Sequence, residues 1–490
     1  MILRPILQPI LQPVVRPLAA PFGRRPTALT ISQLLPAGAG RVAAIYTDPA
    51  KPSYDECIAK NMAAIAAGRP QDCVLFSALG VPVTYPIGAG QGKYLLKDRS
   101  GGGHDQLQVT ASARGEFSRR YNQLLATEDF TNAAWQKRNG ATVVANAAIS
   151  PAGTLTASKL VPGAGVFGGV GSDHSNIFAA PGVASLVAGI TYTLSVYAKA
   201  GELSVITLYL DPNSPTYIKA DLTTGTILDN VGSIPGTIDY VGDGWYRLAI
   251  TDLATATNTT GVVRIAADTP SGDGTSGIYI WGADLRLSAD AIPSIPAYQR
   301  VTTASDYDET GFPTYWRAQT DDWAKSHMNP NGATKACVFW AGQQLSGAAA
   351  QPIVEASSAP ASNTGVFGIY SYGPGFNVRS KGTLDSISGS GSGGHTGIRS
   401  VCVGRGDIPN DVASLNVNGV QAVLLTVDQG TGTYIEHDVF FGARGGTAYF
   451  ANIREYAPPL ILLLQPTDSL SATHITKLQK GYAKAAGVTL

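Results

Sequence analysis

A mainly β fold assembled from sandwich-like domains is what this sequence predicts, and three observations carry it. Short segments alternate apolar and polar residues with the period of two that half-buried strands require. Turn signals separate those segments at short intervals, as in a sandwich or jelly roll. The 56 glycines and 30 prolines among 490 residues punctuate the chain too often for long helices.

A chain this long divides into about two or three domains. Apolar residues form 44% of it and charged residues only 14%, enough apolar matter for packed cores under a weakly charged surface. Basic and acidic residues balance at 35 each, so nothing in the charge points to nucleic acid or an anionic membrane as partner. No run approaches the roughly 18 apolar residues of a membrane span, so no membrane insertion is expected. Prolines interrupt the apolar N-terminus too often for a secretory signal, and a protein acting outside a cell would leave by another route, such as lysis.

Residues 1–25 carry Pro5, Pro9, Pro13, Pro17 and Pro21 at every fourth position, with the apolar pairs Ile6-Leu7, Ile10-Leu11 and Val14-Val15 between them. That density forbids a helix and favours an extended path with little entropy to lose on docking. Arg4, Arg16, Arg24, Arg25 and Arg41 all precede the first acid, Asp48. The segment reads as a basic, apolar arm that inserts into a partner; a disordered tail is the alternative, and the apolar pairs favour the arm. Residues 1–40 are thus an anchoring arm and linker. A short helix over 53–67 would place Ile58, Met62 and Ile65 on one face, and short strands follow at 74–76 and 94–96. The segment at 88–93 (GAGQGK) hints at a phosphate loop, but Ile87 stands where that motif needs glycine and Tyr94 where it needs Ser or Thr, so it is a turn.

From 121 to 300 strands are expected at Thr191–Lys199, Val205–Leu210, 245–250, 262–266 and 278–285, with turns at 223–225 and 271–277. From 301 to 465 they resume around 337–340, 366–370, 414–417 and 439–442, and 388–394 (SGSGSGG) is a surface loop. A helix closes the chain: Ser471 caps it, Ile475, Leu478 and Tyr482 share a face, and Gly487 ends it.

Several segments, taken together and in order, resemble tailed-bacteriophage tail-fibre and virion-appendage proteins. Residues 122–135 (NQLLATEDFTNAAW) are similar to the opening strand of a carbohydrate-binding-like jelly roll. Stretches like 192–201 (YTLSVYAKAG), 221–225 (DLTTG), 243–247 (DGWYR) and 272–282 (GDGTSGIYIWG) follow in such modules. The flanks resemble the two parts of a concanavalin-like (laminin-G-like) sandwich, through 97–104 (KDRSGGGH), 320–323 (TDDW), 411–419 (DVASLNVNG) and 441–446 (FGARGG). Arg317, Ala318 and Gln319 stand where that family reads Phe-Asp-Gly. The resemblance implies a concanavalin-like sandwich in two parts, 41–120 and 301–490, with a jelly roll at 121–300 between them. Three sequential domains are the alternative.

No catalytic, cofactor-binding or metal-ligating residue is assigned, and no cofactor is expected. His104, His174, His327, His395, His437 and His474 are scattered and belong to no nucleophile or zinc motif. Cys57, Cys73, Cys337 and Cys402 form no CxxC pair; a Cys57–Cys73 bridge is conceivable, and reduced, partly buried thiols are the expected state. Asp306, Asp308, Glu309, Asp321 and Asp322 are the densest acidic group, better explained by turn-making and solvation than by glycan cleavage or calcium binding. Sugars stack on flat aromatic faces. Trp135, Trp245 and Trp281 fall within the jelly-roll pattern and are expected in its core, which leaves Trp316 and Trp323 as the freer platforms. Arg405-Gly406-Asp407 spells an integrin tripeptide by coincidence, with Gly406-Asp407 making a turn.

The expected function is that of a non-enzymatic virion protein, a tail fibre or a head or tail appendage. It docks on other virion proteins through residues 1–25, assembles as a homo-oligomer with a trimer favoured, and presents its sandwiches to host-surface glycan. A purely architectural role is the alternative, and a polysaccharide depolymerase is disfavoured because no β-helix repeat or acid pair appears.

Overall fold

The computed structural model describes residues 115–490 except 211–215, 233, 320, 329–331, 347–349, 387–392, 436 and 465–471, together with residue 113 and the strands Arg41–Tyr46, Cys73–Phe76, Leu95–Leu96 and Gln106–Leu107. The Pro-rich arm, the helix expected over 53–67, the turn at 88–93, Cys57, most of the loop at 388–394 and Ser471 lie outside the described residues.

The protein is mostly β, organised in sandwiches. In the jelly roll, one six-stranded sheet runs in the order Ile234–Gly242, Trp245–Leu253, Thr191–Lys199, Ile278–Leu287, Ala157–Val161, Thr142–Ala148. The facing sheet runs Thr226–Val231, Thr216–Asp221, Val205–Leu210, Val263–Ala267, Asn176–Ala179, Trp135–Arg138. Period-two patterning sets the register: Tyr192, Leu194, Val196 and Ala198 all turn inward, and Leu194 lies opposite Ile250 and Leu285. Ile206 and Leu208 meet them from the other sheet in one apolar core. Trp135, Trp245 and Trp281 are buried, as expected of jelly-roll residues.

The second sandwich is built from both ends of the chain. Arg41–Tyr46 and Tyr315–Ala318 pair with Ile453–Leu464, Glu116–Ser118 pairs with Tyr315–Ala318, and Gln106–Leu107 pairs with Ala324–Met328. Its nine-stranded sheet centres on Lys335–Gln344, flanked by Ile453–Leu464 and Arg399–Asp407. An eight-stranded sheet including Val366–Tyr372 and Gly375–Lys381 covers one face, where Val338, Trp340, Cys402, Phe367 and Phe376 pack together.

The other face of the nine-stranded sheet carries Cys337, Phe339, Ala341, Val401 and Val403. It is covered by the C-terminal helix, Ala472–Ala486, through Leu478, Tyr482 and Ala483. Lys335–Gln344 is therefore buried along nearly its whole length, which is why it reads as a continuous apolar run. Gly487 ends the helix at φ +66°, with Val488 N–H donating to the Ala483 carbonyl and Gly487 N–H to that of Lys484.

Arg405-Gly406-Asp407 is not a turn but the end of the strand Arg399–Asp407. Gly406 is required there for close approach: a Cβ would lie 2.1 Å from the Tyr434 hydroxyl and 2.5 Å from Ser380 Oγ.

The jelly roll meets the second sandwich through a glutamine clasp. Gln299 Oε1 accepts from the backbone N–H of Tyr121 (2.7 Å) and Asn122 (2.9 Å), and its Nε2 donates to the carbonyls of Arg119 and Asp308, both at 2.8 Å. Asn122 Nδ2 in turn donates to the carbonyls of Ala283 and Gln299. The segments entering and leaving the jelly roll are thereby held side by side.

Candidate functional site

A cleft of about 510 Å³ opens between the two sandwiches. The jelly roll supplies one wall through its 182–187 loop, Tyr192 and Leu287; the second sandwich supplies the other through Tyr315, Arg317, Asn452 and Arg454. The junction segments add Arg120, Gln123 and Tyr307 to the lining. Three arginines and no carboxylate appear among the described lining residues.

Strand alternation decides what enters this cleft. On Tyr315–Ala318, Trp316 turns into the core between the sheets while Arg317 turns to the cleft. Trp316 is 2% exposed and lies so close to Gly115 that a Cβ there would be 2.3 Å from its Nε1. It is core, not the open platform expected from sequence. Trp323 is half-buried, its ring 6.0 Å from that of Phe440 and capped by Gly446, whose Cβ would stand 2.7 Å from it. Neither tryptophan lines the cleft; its aromatic lining comes from Tyr121, Tyr192, Tyr307 and Tyr315.

The tyrosines are fixed by backbone partners. Tyr192 Oη accepts from Val187 N–H at 3.0 Å, Tyr307 Oη accepts from Arg119 N–H at 3.4 Å, and Tyr315 donates to the Arg120 carbonyl. Burial raises the Tyr192 phenol above its ordinary value, so it stays neutral. Arg120 spends hydrogen bonds on the carbonyls of Asn122 (2.9 Å) and Gln123 (2.7 Å). Arg454 donates from Nη1 to Asp290 Oδ2 at 2.7 Å and lies 4.7 Å above the Tyr315 ring. Three buried polar atoms on this wall have no partner: Arg317 Nε, Arg454 Nε and Asn452 Oδ1. They are two donors and one acceptor without a hydrogen-bond partner.

The acidic group that stood out in the sequence is dispersed. Asp308 pairs with Arg300 and Glu309 with Arg119, each at 3.2 Å, while Asp322 is buried and accepts from Gln319 N–H. Among the described residues no three His, Cys, Asp or Glu side chains gather to hold a metal. His395 Nδ1 lies 3.2 Å from Ser400 Oγ, but Ser400 is fully buried and no substrate could reach it. Sequence reasoning missed the arginines of the cleft. The signal present was Arg317, Ala318 and Gln319 replacing the residues usual in the family that the chain resembles.

No protein-family model and no curated protein matches the chain. Among solved structures, it is similar to the NanB sialidase from Streptococcus pneumoniae, at 16% identity and TM-score 0.24 over 29% of this chain and 24% of that one. It is also similar to domains LG4-5 of the mouse laminin alpha1 chain, at 10% identity and TM-score 0.22 over 69% of this chain and 90% of that one. The LG1-3 region of the laminin alpha2 chain matches at 11% identity and TM-score 0.23, over 56% and 62%. The chain spans about a quarter of the sialidase, 24% of its length.

Proposed function

We propose that this protein is a non-enzymatic saccharide-binding protein that holds its ligand in the cleft between the two sandwiches. The observation that carries it is the cleft wall itself, where Arg317 Nε, Arg454 Nε and Asn452 Oδ1 are buried without partners beside fixed tyrosine rings. Alternating hydroxyl donors and acceptors over an apolar ring face are what a sugar offers such a surface. The wider setting is a phage-particle appendage, a tail fibre or a head or tail decoration, docked by residues 1–25 and displayed as a homo-oligomer, a trimer in the first instance. The sequence resemblance supports that setting, and several copies on one particle would multiply weak single-site affinity.

The full chain applied to a glycan array, beside Ser185→Trp, tests the role. Ser185 is exposed on the cleft rim, so a bulky side chain there blocks the opening without touching a core. Saturable binding that Ser185→Trp abolishes is expected; no binding, or binding indifferent to the block, contradicts the proposal.

One observation favours a second, purely architectural role. Leu228, Val231, Tyr240 and Val241 are all exposed on the consecutive strands Thr226–Val231 and Ile234–Gly242, an apolar edge suited to packing on a neighbour.

A further inference from the structure

Arg317 and Arg454 occupy directly opposed positions on adjacent antiparallel strands. The next position across the sheet is Gln343 and the one beyond it is Arg399. One face of the sheet thus carries the row Arg317, Arg454, Gln343, Arg399, with like charges directly opposed at its cleft end. Such pairs are destabilising unless something neutralises them. Among the described residues a single carboxylate pairs with the row: Asp290 meets Arg399 at 2.8 Å and Arg454 at 2.7 Å. Among the described residues Arg317 makes no ion pair. Arg120 adds further positive charge to a lining that, among its described residues, holds no acid.

The geometry of the donors is as telling as the charge. The Arg454 side chain is only 7% exposed and its Nε is without partner, as is the buried Nε of Arg317. Nε–H is one prong of the planar fork with which a guanidinium grips a carboxylate. Asn452, two residues before Arg454, presents an acceptor that an oxyanion cannot use but a sugar hydroxyl can.

We infer that the cleft takes an acidic saccharide, its carboxylate bridging Arg317 and Arg454 and a hydroxyl donating to Asn452 Oδ1; this rests on the saccharide-binding role proposed above. The bound carboxylate supplies the second counter-charge that the row lacks.

The test is calorimetric titration of the full chain at low salt with three probes: an oligogalacturonate, the neutral galactose oligomer of equal length, and inorganic phosphate. The acidic oligomer is expected to bind about tenfold or more tightly than the neutral one, and to weaken with added salt. Arg317→Gln removes that preference while leaving the melting temperature unchanged or raised, because it relieves the opposed pair. Arg317→Lys, which keeps the charge and loses the fork, retains only part of the preference. Equal affinity for acidic and neutral oligomers overturns the acidic-ligand inference and leaves saccharide binding standing. Phosphate competing as strongly as the uronate also overturns it, marking a simple anion site. Binding of none of the probes overturns it together with the role on which it rests.

Discussion

Asp290 and Arg399 join the jelly roll to the second sandwich through a fully buried ion pair, Oδ1 to Nη2, at 2.8 Å. Asp290 ends a short 3-10 turn that follows the last jelly-roll strand, and Arg399 opens a central strand of the nine-stranded sheet. Arg399 also donates from Nη1 to the carbonyl of Ala486 at 2.9 Å, at the negative end of the C-terminal helix dipole, and lies 4.2 Å above the Tyr456 ring. With Arg454 on the other carboxylate oxygen, one aspartate pairs with two arginines where three structural units meet.

Asp290→Asn leaves two buried guanidinium groups without a counter-charge. Breaking a buried pair from one side costs about 3–5 kcal/mol, far more than the pair itself contributes. Denaturant unfolding of the full chain should show that loss. In the double variant Asp290→Asn/Arg399→Gln the two costs should fail to add, since both remove members of one network.

The same carboxylate predicts an acid limb in stability. Burial would raise its pKa, but Arg454 and Arg399 outweigh burial and hold it below the ordinary carboxylate value. A folded pKa below the unfolded one, about 3.9, contributes stability that is complete above that pH and lost as pH falls through the folded value. Glu355 has the opposite sign: burial raises it despite Arg444, so its contribution is complete below the unfolded value and lost as pH rises through the folded one. Melting temperature against pH should therefore fall steeply only below about pH 4, and Asp290→Asn should flatten that limb.

Gln299→Leu tests the clasp between the segments entering and leaving the jelly roll. The side chain is fully buried and all four of its hydrogen bonds go to backbone groups. Its removal strands two N–H groups and two carbonyls, at a cost on the order of 3 kcal/mol. Hydrogen exchange at Tyr121 and Asn122 should accelerate while exchange in the jelly-roll core strands is unchanged.

Cys337 and Cys402 are buried on opposite faces of the nine-stranded sheet as free thiols. Burial pushes the Cys337 thiol up to about 12 and Cys402 higher than its ordinary value, so neither offers a thiolate near neutral pH. Peptide mapping after iodoacetamide treatment of the native protein should find both unmodified, and both alkylated once denaturant is present.

The strands were the legible part of this sequence. Val205–Leu210 and Thr191–Lys199 begin and end where the alternation does, because each has one face in a core. The helix face of Leu478 and Tyr482 was equally plain. Gly406 misled, because a glycine needed for close approach to Tyr434 looks in sequence like one needed for a turn. Trp316 misled because nothing local says on which side of its strand the core lies, and Trp323 because Phe440 and Gly446, which cover it, are remote in sequence. The cleft was hidden for the same reason. Arg317 and Arg454 become neighbours only through a long-range strand pairing, and a shift of one residue would have turned both away.

Hydrogen exchange of the full chain with and without a saturating saccharide is the most direct test of the inter-sandwich cleft as the ligand site. Slowed exchange is predicted at 120–123 and 182–187, the backbone that frames the opening, and Ser185→Trp should erase it. Protection confined to the outer strands Thr226–Val231 and Ile234–Gly242, with the cleft segments unchanged, would contradict the account.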